Sequence, residues 1–228
     1  MPRNLDLDER LKLAASFVRP NAVFADVGCD HGRLSVYLIQ QCAAKSGFAC
    51  DIRPQPLEKA RQLIARKNLQ DKITPVLTDG LNNMQGKNIS DVIIAGIGGE
   101  VLAHIIQEAP FLKNSSVRII LQPQSKEHLL RKTLYNLGFA IEHEECVRSG
   151  RFLYTVMVAS FCGNCVEIDD FFAYTGLLPQ NKNPLNLQKL ASVSDTLREI
   201  ALSLKNSPAK QEEYLKTLAL ADEISSII

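Results

Sequence analysis

Three acids, Asp26, Asp51 and Asp79, each stand at or just past the end of a short apolar run. The first opens the turn Asp26-Val27-Gly28-Cys29-Asp30-His31-Gly32. Gly28 and Gly32 carry no Cβ, so the backbone can bend sharply and a ligand can come close, while the helix that follows offers free N–H groups. The dinucleotide pattern G-x-G-x-x-G is not met: Asp30 takes the place of its second glycine, and Asp26 precedes the first. Carboxylates there repel a pyrophosphate. A ligand with an amino group, ribose hydroxyls and no phosphate suits such a turn, and S-adenosylmethionine is one.

Asp51 lies 23 residues after Gly28, the place where an acid accepts hydrogen bonds from both ribose hydroxyls. Asp79, in Thr78-Asp79-Gly80-Leu81, is placed to accept from the exocyclic amine of an adenine. A further glycine-rich turn, Ala95-Gly96-Ile97-Gly98-Gly99, follows the next apolar run and leaves room for a flat base or the sulfonium arm. It is not the D/N-P-P-Y of amino-directed adenine methylation, and this region has no Pro-Cys pair to supply a cysteine nucleophile. His31 sits inside the first turn and is expected to serve the site; His104, His128 and His143 have no such context. Cys162-Gly163-Asn164-Cys165 has the spacing of half a zinc knuckle without a second pair nearby, so it reads as a linker and no metal is expected.

The elements that must position these residues alternate. Strands are expected at Ala22–Val27, Gly47–Ile52, Ile73–Leu77, Asp91–Ala95 and Val117–Leu121, with helices at His31–Ser46, Pro56–Asn68, Gly99–Ala109 and Ser125–Leu137. A first helix, capped by Asp6 with Glu9, precedes them. Near-continuous apolar strands interleaved with helices predict a doubly wound α/β domain around a parallel sheet. Phe139–Val147 and Phe152–Ala159, joined at Ser149-Gly150, predict a closing antiparallel hairpin. That ending is typical of a class I (Rossmann-like) methyltransferase, whereas a dinucleotide fold continues with parallel strands. After a mixed stretch and the break Asn181-Lys182-Asn183-Pro184, two amphipathic helices predict a C-terminal antiparallel, coiled-coil-like hairpin. Their apolar stripes are Leu187, Leu190, Leu197, Ala201 and Leu204, and Tyr214, Leu218, Ala221 and Ile228. The expected division is 1–160 for the cofactor domain and 161–228 for the helical one.

With 228 residues, 46% hydrophobic, the chain can bury one full core and an appendage, and no apolar run is long enough to cross a bilayer. A polar start without an apolar leader region and six scattered cysteines fit a reduced, cytoplasmic protein. The net charge of +1 is uneven: residues 1–164 hold 20 Lys and Arg against 16 Asp and Glu, and residues 165–228 hold 6 against 9. Clusters at Arg3, Arg10, Lys12 and Arg19 and at Arg53, Lys59, Arg61, Arg66, Lys67 and Lys72 suit a phosphate backbone or a solvated helix face.

Glu9-Arg10-Leu11, Asp26-Val27-Gly28-Cys29-Asp30-His31, Asp79-Gly80-Leu81, Ile94-Ala95-Gly96-Ile97-Gly98-Gly99 and Leu121-Gln122-Pro123 occur in the order and spacing of the bacterial TrmK family, which the chain resembles. The resemblance implies transfer of methyl from S-adenosylmethionine to N1 of the adenine at position twenty-two of tRNA. It implies cofactor contacts at Arg10, Asp26, Gly28, Asp30, Asp51, Ile52, Asp79, Gly80 and Gly96. Asp30, His31, Gly98, Gly99 and Gln122 are the candidates on the target-base side. The chain departs from the family pattern at Cys29 (Ser), Gly32-Arg33 (Ala-Tyr), Cys50 (Gly), Asp51 (Glu) and Gln124 (Asn), and lacks the family's tail Trp. Methylation of another RNA or a small molecule, and a non-catalytic interaction module, are the alternative readings.

Overall fold

The computed structural model describes residues 5–42 and 44–228; Arg3 of the first basic cluster lies outside the described residues. Seven strands, β1 (Val23–Val27), β2 (Ser46–Asp51), β3 (Ile73–Leu77), β4 (Asp91–Ile97), β5 (Arg118–Pro123), β6 (Phe139–Ser149) and β7 (Phe152–Phe161), form one sheet in the order β3-β2-β1-β4-β5-β7-β6. The first five pair in parallel, and β7 is antiparallel to both β5 and β6. The chain reverses its winding between β1 and β4. A crevice therefore opens above the carboxyl ends of these strands, the usual ligand position in such a sheet.

Both sheet faces are buried, which is why the strands read as apolar runs. Ile93, Ile120, Val156 and Val158 point into a core shared with α1 (Glu9–Ser16), α2 (Arg33–Gln41) and α3 (Pro54–Arg66). Val92, Ile94, Ile119, Leu121, Met157 and Ala159 point the other way, toward α4 (Gly99–Gln107) and α5 (Glu127–Asn136). One expectation fails at the first helix. Its cap is Asp8, whose side chain accepts from Leu11 N, while Asp6 instead pairs with Lys12 Nζ at 2.9 Å. The capping-box pattern favours Asp6 because Leu11, not an acid, stands three residues after Asp8; the helix uses a simple side-chain cap in its place.

Beyond β7 a short helix α6 (Asp170–Thr175), which lay in the stretch read as mixed, leads to α7 (Pro184–Leu204) and α8 (Gln211–Ser226). The helical hairpin forms, with corrections to its stripes. Leu187, Tyr214 and Leu218 are only half-buried and Ile228 is exposed; Leu190 and Leu197 pack with Ala221 and Ile224 in one cluster, Leu204 is buried nearer the turn, and Ser194 donates to Ala221 O across the pair at 2.7 Å. Ile228 lies two residues past the end of α8, where no helical turn holds it inward.

The tail is pinned by charges. Arg131, on α5, is fully buried and donates to Glu144 (2.9 Å), to the carbonyl of Ala173 (2.7 Å) and to that of Tyr174 (3.2 Å). Lys189 of α7 reaches Glu127 of α5 at 2.7 Å, and Glu144 accepts from Leu177 N. A Cβ on Gly176, which has φ +55°, would collide with Glu144 and Arg131, so this position admits only glycine.

Candidate functional site

A cavity of about 530 Å³ occupies the crevice over β1, β2, β3 and β4. All nine expected cofactor residues line it: Arg10, Asp26, Gly28, Asp30, Asp51, Ile52, Asp79, Gly80 and Gly96. His31, expected on the target side, lines it too. The floor is made by the glycine turn, where Gly28 N and Cys29 N both donate to Cys50 O at 2.9 Å and so lash β1 to β2.

Asp51 is 3% exposed and serves the turn first: its carboxylate accepts from Asp30 N at 3.1 Å and from Arg53 N at 2.9 Å. A carboxylate has about four lone-pair sites, so acceptor capacity remains for hydroxyls. The Asp30 backbone, at φ +51°, turns its side chain out to the mouth, where it lies 3.7 Å from both His31 and Arg53. Deeper in, Asp26 is buried and accepts from the Ser35 hydroxyl at 2.6 Å. Burial pushes its pKa up to about 6; hydrogen bonds from Ser35 oppose the rise and nearby Asp51 adds to it. Burial likewise raises the thiols of Cys29 and Cys50, the latter to about 12, which leaves them unreactive as nucleophiles.

The other wall departs from three expectations. Gln122 is fully buried and does not line the cavity. Its Oε1 accepts from Arg10 Nη1 (2.8 Å) and Gly96 N (3.0 Å), and its Nε2 donates to Pro123 O (2.8 Å). With every polar atom engaged, it holds the wall from behind. Gly99 is also buried, donating to Ser125 O at 2.8 Å, and a Cβ there would sit 2.5 Å from the Lys126 carbonyl oxygen. It lets α4 approach the β5–α5 loop. Gly98, the residue before α4, is half-buried and not on the cavity wall either. In their place Gln124, Arg33, Arg53, Ile97 and Val101 face the space. Glycine spacing alone could not separate a glycine needed for a ligand from one needed for helix packing.

Arg10 enters the wall from α1, bound to Asp8 at 3.2 Å and lying over the Tyr154 ring, 5.8 Å from its centroid. Four carboxylates and three guanidiniums thus surround one space, with apolar Ile52, Val101 and Ile105 among them. This donor set fits S-adenosylmethionine: acids for its ammonium, sulfonium and ribose, a guanidinium for its carboxylate, aliphatic surface for its ring. Cys162 and Cys165 are exposed free thiols, and no metal-holding group of His, Cys, Asp or Glu exists among the described residues.

Residues 7–157 match a family model described as a methyltransferase domain. The chain is 26% identical to the tRNA (adenine(22)-N(1))-methyltransferase of Bacillus subtilis over 225 residues, 96% of this chain and 94% of the relative. The crystal structure of the B. subtilis m1A22 tRNA methyltransferase TrmK superposes with a TM-score of 0.84 at 26% identity, covering 98% of each chain. The chain belongs to the TrmK family of methyltransferases. A Streptococcus pneumoniae structure in complex with S-adenosyl-L-methionine also superposes, with a TM-score of 0.83 at 26% identity over 96% of this chain and 99% of that one. The TrmK likeness includes the helical tail, since the B. subtilis match extends far past residue 157.

Proposed function

We propose that this TrmK-family chain transfers the methyl of S-adenosylmethionine to N1 of adenine 22 in tRNA, working in the cytoplasm. The supporting observation is the acid-lined cavity at the β1/β4 switch point, in a chain that aligns with nearly the full length of the B. subtilis enzyme. When bound, S-adenosylmethionine supplies an electrophilic methyl that the free N1 lone pair of neutral adenine takes directly. No general base has to act first, so the residues contribute mainly by holding two reactants in line. Asp51 would accept from the ribose, Asp79 from the adenine amine of the cofactor, and Arg10, fixed by Gln122, would hold the cofactor carboxylate. Asp26 would face the ammonium. Asp30 and His31 stand at the mouth, where an extruded target base arrives, and extrusion costs a few kcal/mol that other RNA contacts must offset.

Residues 1–160 would carry the cofactor, and residues 161–228 would help hold a substrate too large for one cavity. The tail's net charge of −3 means that it acts by shape or by a few placed cations, not as a broad phosphate-binding face. Labelled methyl transfer to unmodified tRNA, with the product mapped by nucleoside analysis and primer extension, is the test. The expected product is 1-methyladenosine at position 22; label at another position, in another RNA only, or nowhere overturns the reading.

A further inference from the structure

A second pocket of about 200 Å³ lies between the β5–α5 loop and helix α7, and Gln124 lines both it and the cofactor cavity. The two spaces are therefore neighbours, and a strand entering one passes the other. The second is too small for a whole nucleotide cofactor, since ligand pockets for such molecules run from about 300 Å³ upward. It has room for one flat ring. Two of its lining residues are themselves flat: His128 and Tyr174 lie stacked, with ring centroids 4.4 Å apart and planes within 9°.

The charges of this pocket argue for a neutral occupant. Lys189 is spent on Glu127 at 2.7 Å, and Lys126 on Glu100 at 2.6 Å. Burial, together with the nearby Lys132 and Arg131, holds the His128 pKa below its usual range, so the imidazole is uncharged near neutrality. A phosphate would have to compete with carboxylates for both lysines, whereas a base can stack on the rings and bond to Ser125, Ser192 or Thr196. Such stacking is the common mode by which unpaired RNA bases are held. The pocket is also rigid, because the Tyr174 carbonyl accepts from the buried Arg131 and Lys189 is tied to α5.

We propose that this second pocket receives one base of the RNA next to the adenine that is methylated, stacked against the His128–Tyr174 pair. The inference rests on the tRNA reading above and assigns the tail a concrete task, since α6 and α7 supply half of the pocket.

The test pairs enzyme variants with tRNA transcripts that carry a single abasic site at each nucleotide flanking adenine 22. With the unaltered full chain, one abasic position should lower kcat/KM by about tenfold or more, the size of one lost stack. His128→Ala should produce a similar loss on intact tRNA, and Ser192→Phe, which fills the pocket from the exposed side of α7, should do the same. Combining either variant with the critical abasic tRNA should cost no more than either change alone. The dissociation constant for S-adenosylmethionine should stay unchanged in both variants, which also reports that they are folded. If both variants keep kcat/KM within about twofold, or if the losses multiply, the pocket holds no base and the inference is overturned while the activity stands. If the unaltered chain methylates no tRNA, the proposed function fails and this inference with it.

Discussion

Two clusters of charge lie on opposite sides of the β5–α5 loop, and they differ in what their charges do. In the tail anchor, Arg131, Glu127, Glu144 and Lys189 are buried or nearly so, sum to neutral, and spend their hydrogen-bonding groups on one another, on backbone or, for Glu127, on the Thr155 hydroxyl. In the cofactor cavity, Asp26, Asp30, Asp51 and Asp79 face open space, and even Asp51, with two backbone partners, keeps lone pairs for a ligand. A closed, self-paired cluster is architecture; one with acceptor capacity turned into a cavity is a site. Burial alone does not separate them, because Asp26 and Asp51 are as hidden as Glu144.

The contrast is tested most severely at Arg131. Arg131→Ala leaves Glu144 and two carbonyls buried without their donor, so unfolding free energy should drop by about 3–5 kcal/mol in denaturant titration. Replacing Arg131 and Glu144 together with Met and Leu should cost much less. Equal losses from the single and double changes would show that the pair is not the unit of stability. Asp51→Ala is the counterpart in the cavity. It should leave a folded protein whose affinity for S-adenosylmethionine is weaker by about 1–3 kcal/mol in calorimetry, as charge-assisted bonds disappear. An unchanged dissociation constant would remove Asp51 from the ligand.

Asp26 gives a pH signature. Its folded pKa of about 6 lies above the ordinary value of 3.8, so the folded state holds the proton more tightly than the unfolded one. The stability contributed by this group is complete below about pH 4 and is lost as pH rises through about 6. Ligand binding runs the other way: a cationic ligand favours the ionised acid. Affinity for S-adenosylmethionine should therefore rise with pH, by up to about tenfold per unit below pH 6, and level off above it. Asp26→Asn should flatten that profile; a slope that survives the substitution belongs to another group.

The smallest effect is expected on the outer face of α3, where Arg61 and Arg66 are exposed and Arg61 pairs with nearby Glu58 at 2.9 Å. Reversing both charges should weaken tRNA binding several-fold and reduce its salt dependence, with cofactor affinity intact. Filter binding over a salt series is the measurement. Affinity indifferent to both the substitutions and the salt would make this face ordinary solvated surface.

Much of this molecule was legible in its sequence because the signals are local. The strand-to-turn joints at Val27-Gly28, Asp51-Ile52 and Thr78-Asp79 are each encoded by neighbouring residues, and a parallel sheet brings such joints to one edge whatever the rest does. Alternating apolar runs and the turn at Ser149-Gly150 determined the order of elements and the closing hairpin in the same way.

Tertiary structure decided what depends on partners distant in the chain. Gln122 looked like a target-side residue until Arg10, 112 positions earlier, took up its side-chain oxygen. The glycines at 98 and 99 read as ligand space until the Ser125–Lys126 backbone packed against the second of them. The anchor joining Glu127 to Lys189, 62 positions apart, and the stacking of His128 on Tyr174 leave no periodic trace in the sequence. A lone charge or ring carries no mark of its partner until the fold brings them together; only then does burial force each polar group to be paired or left facing a ligand.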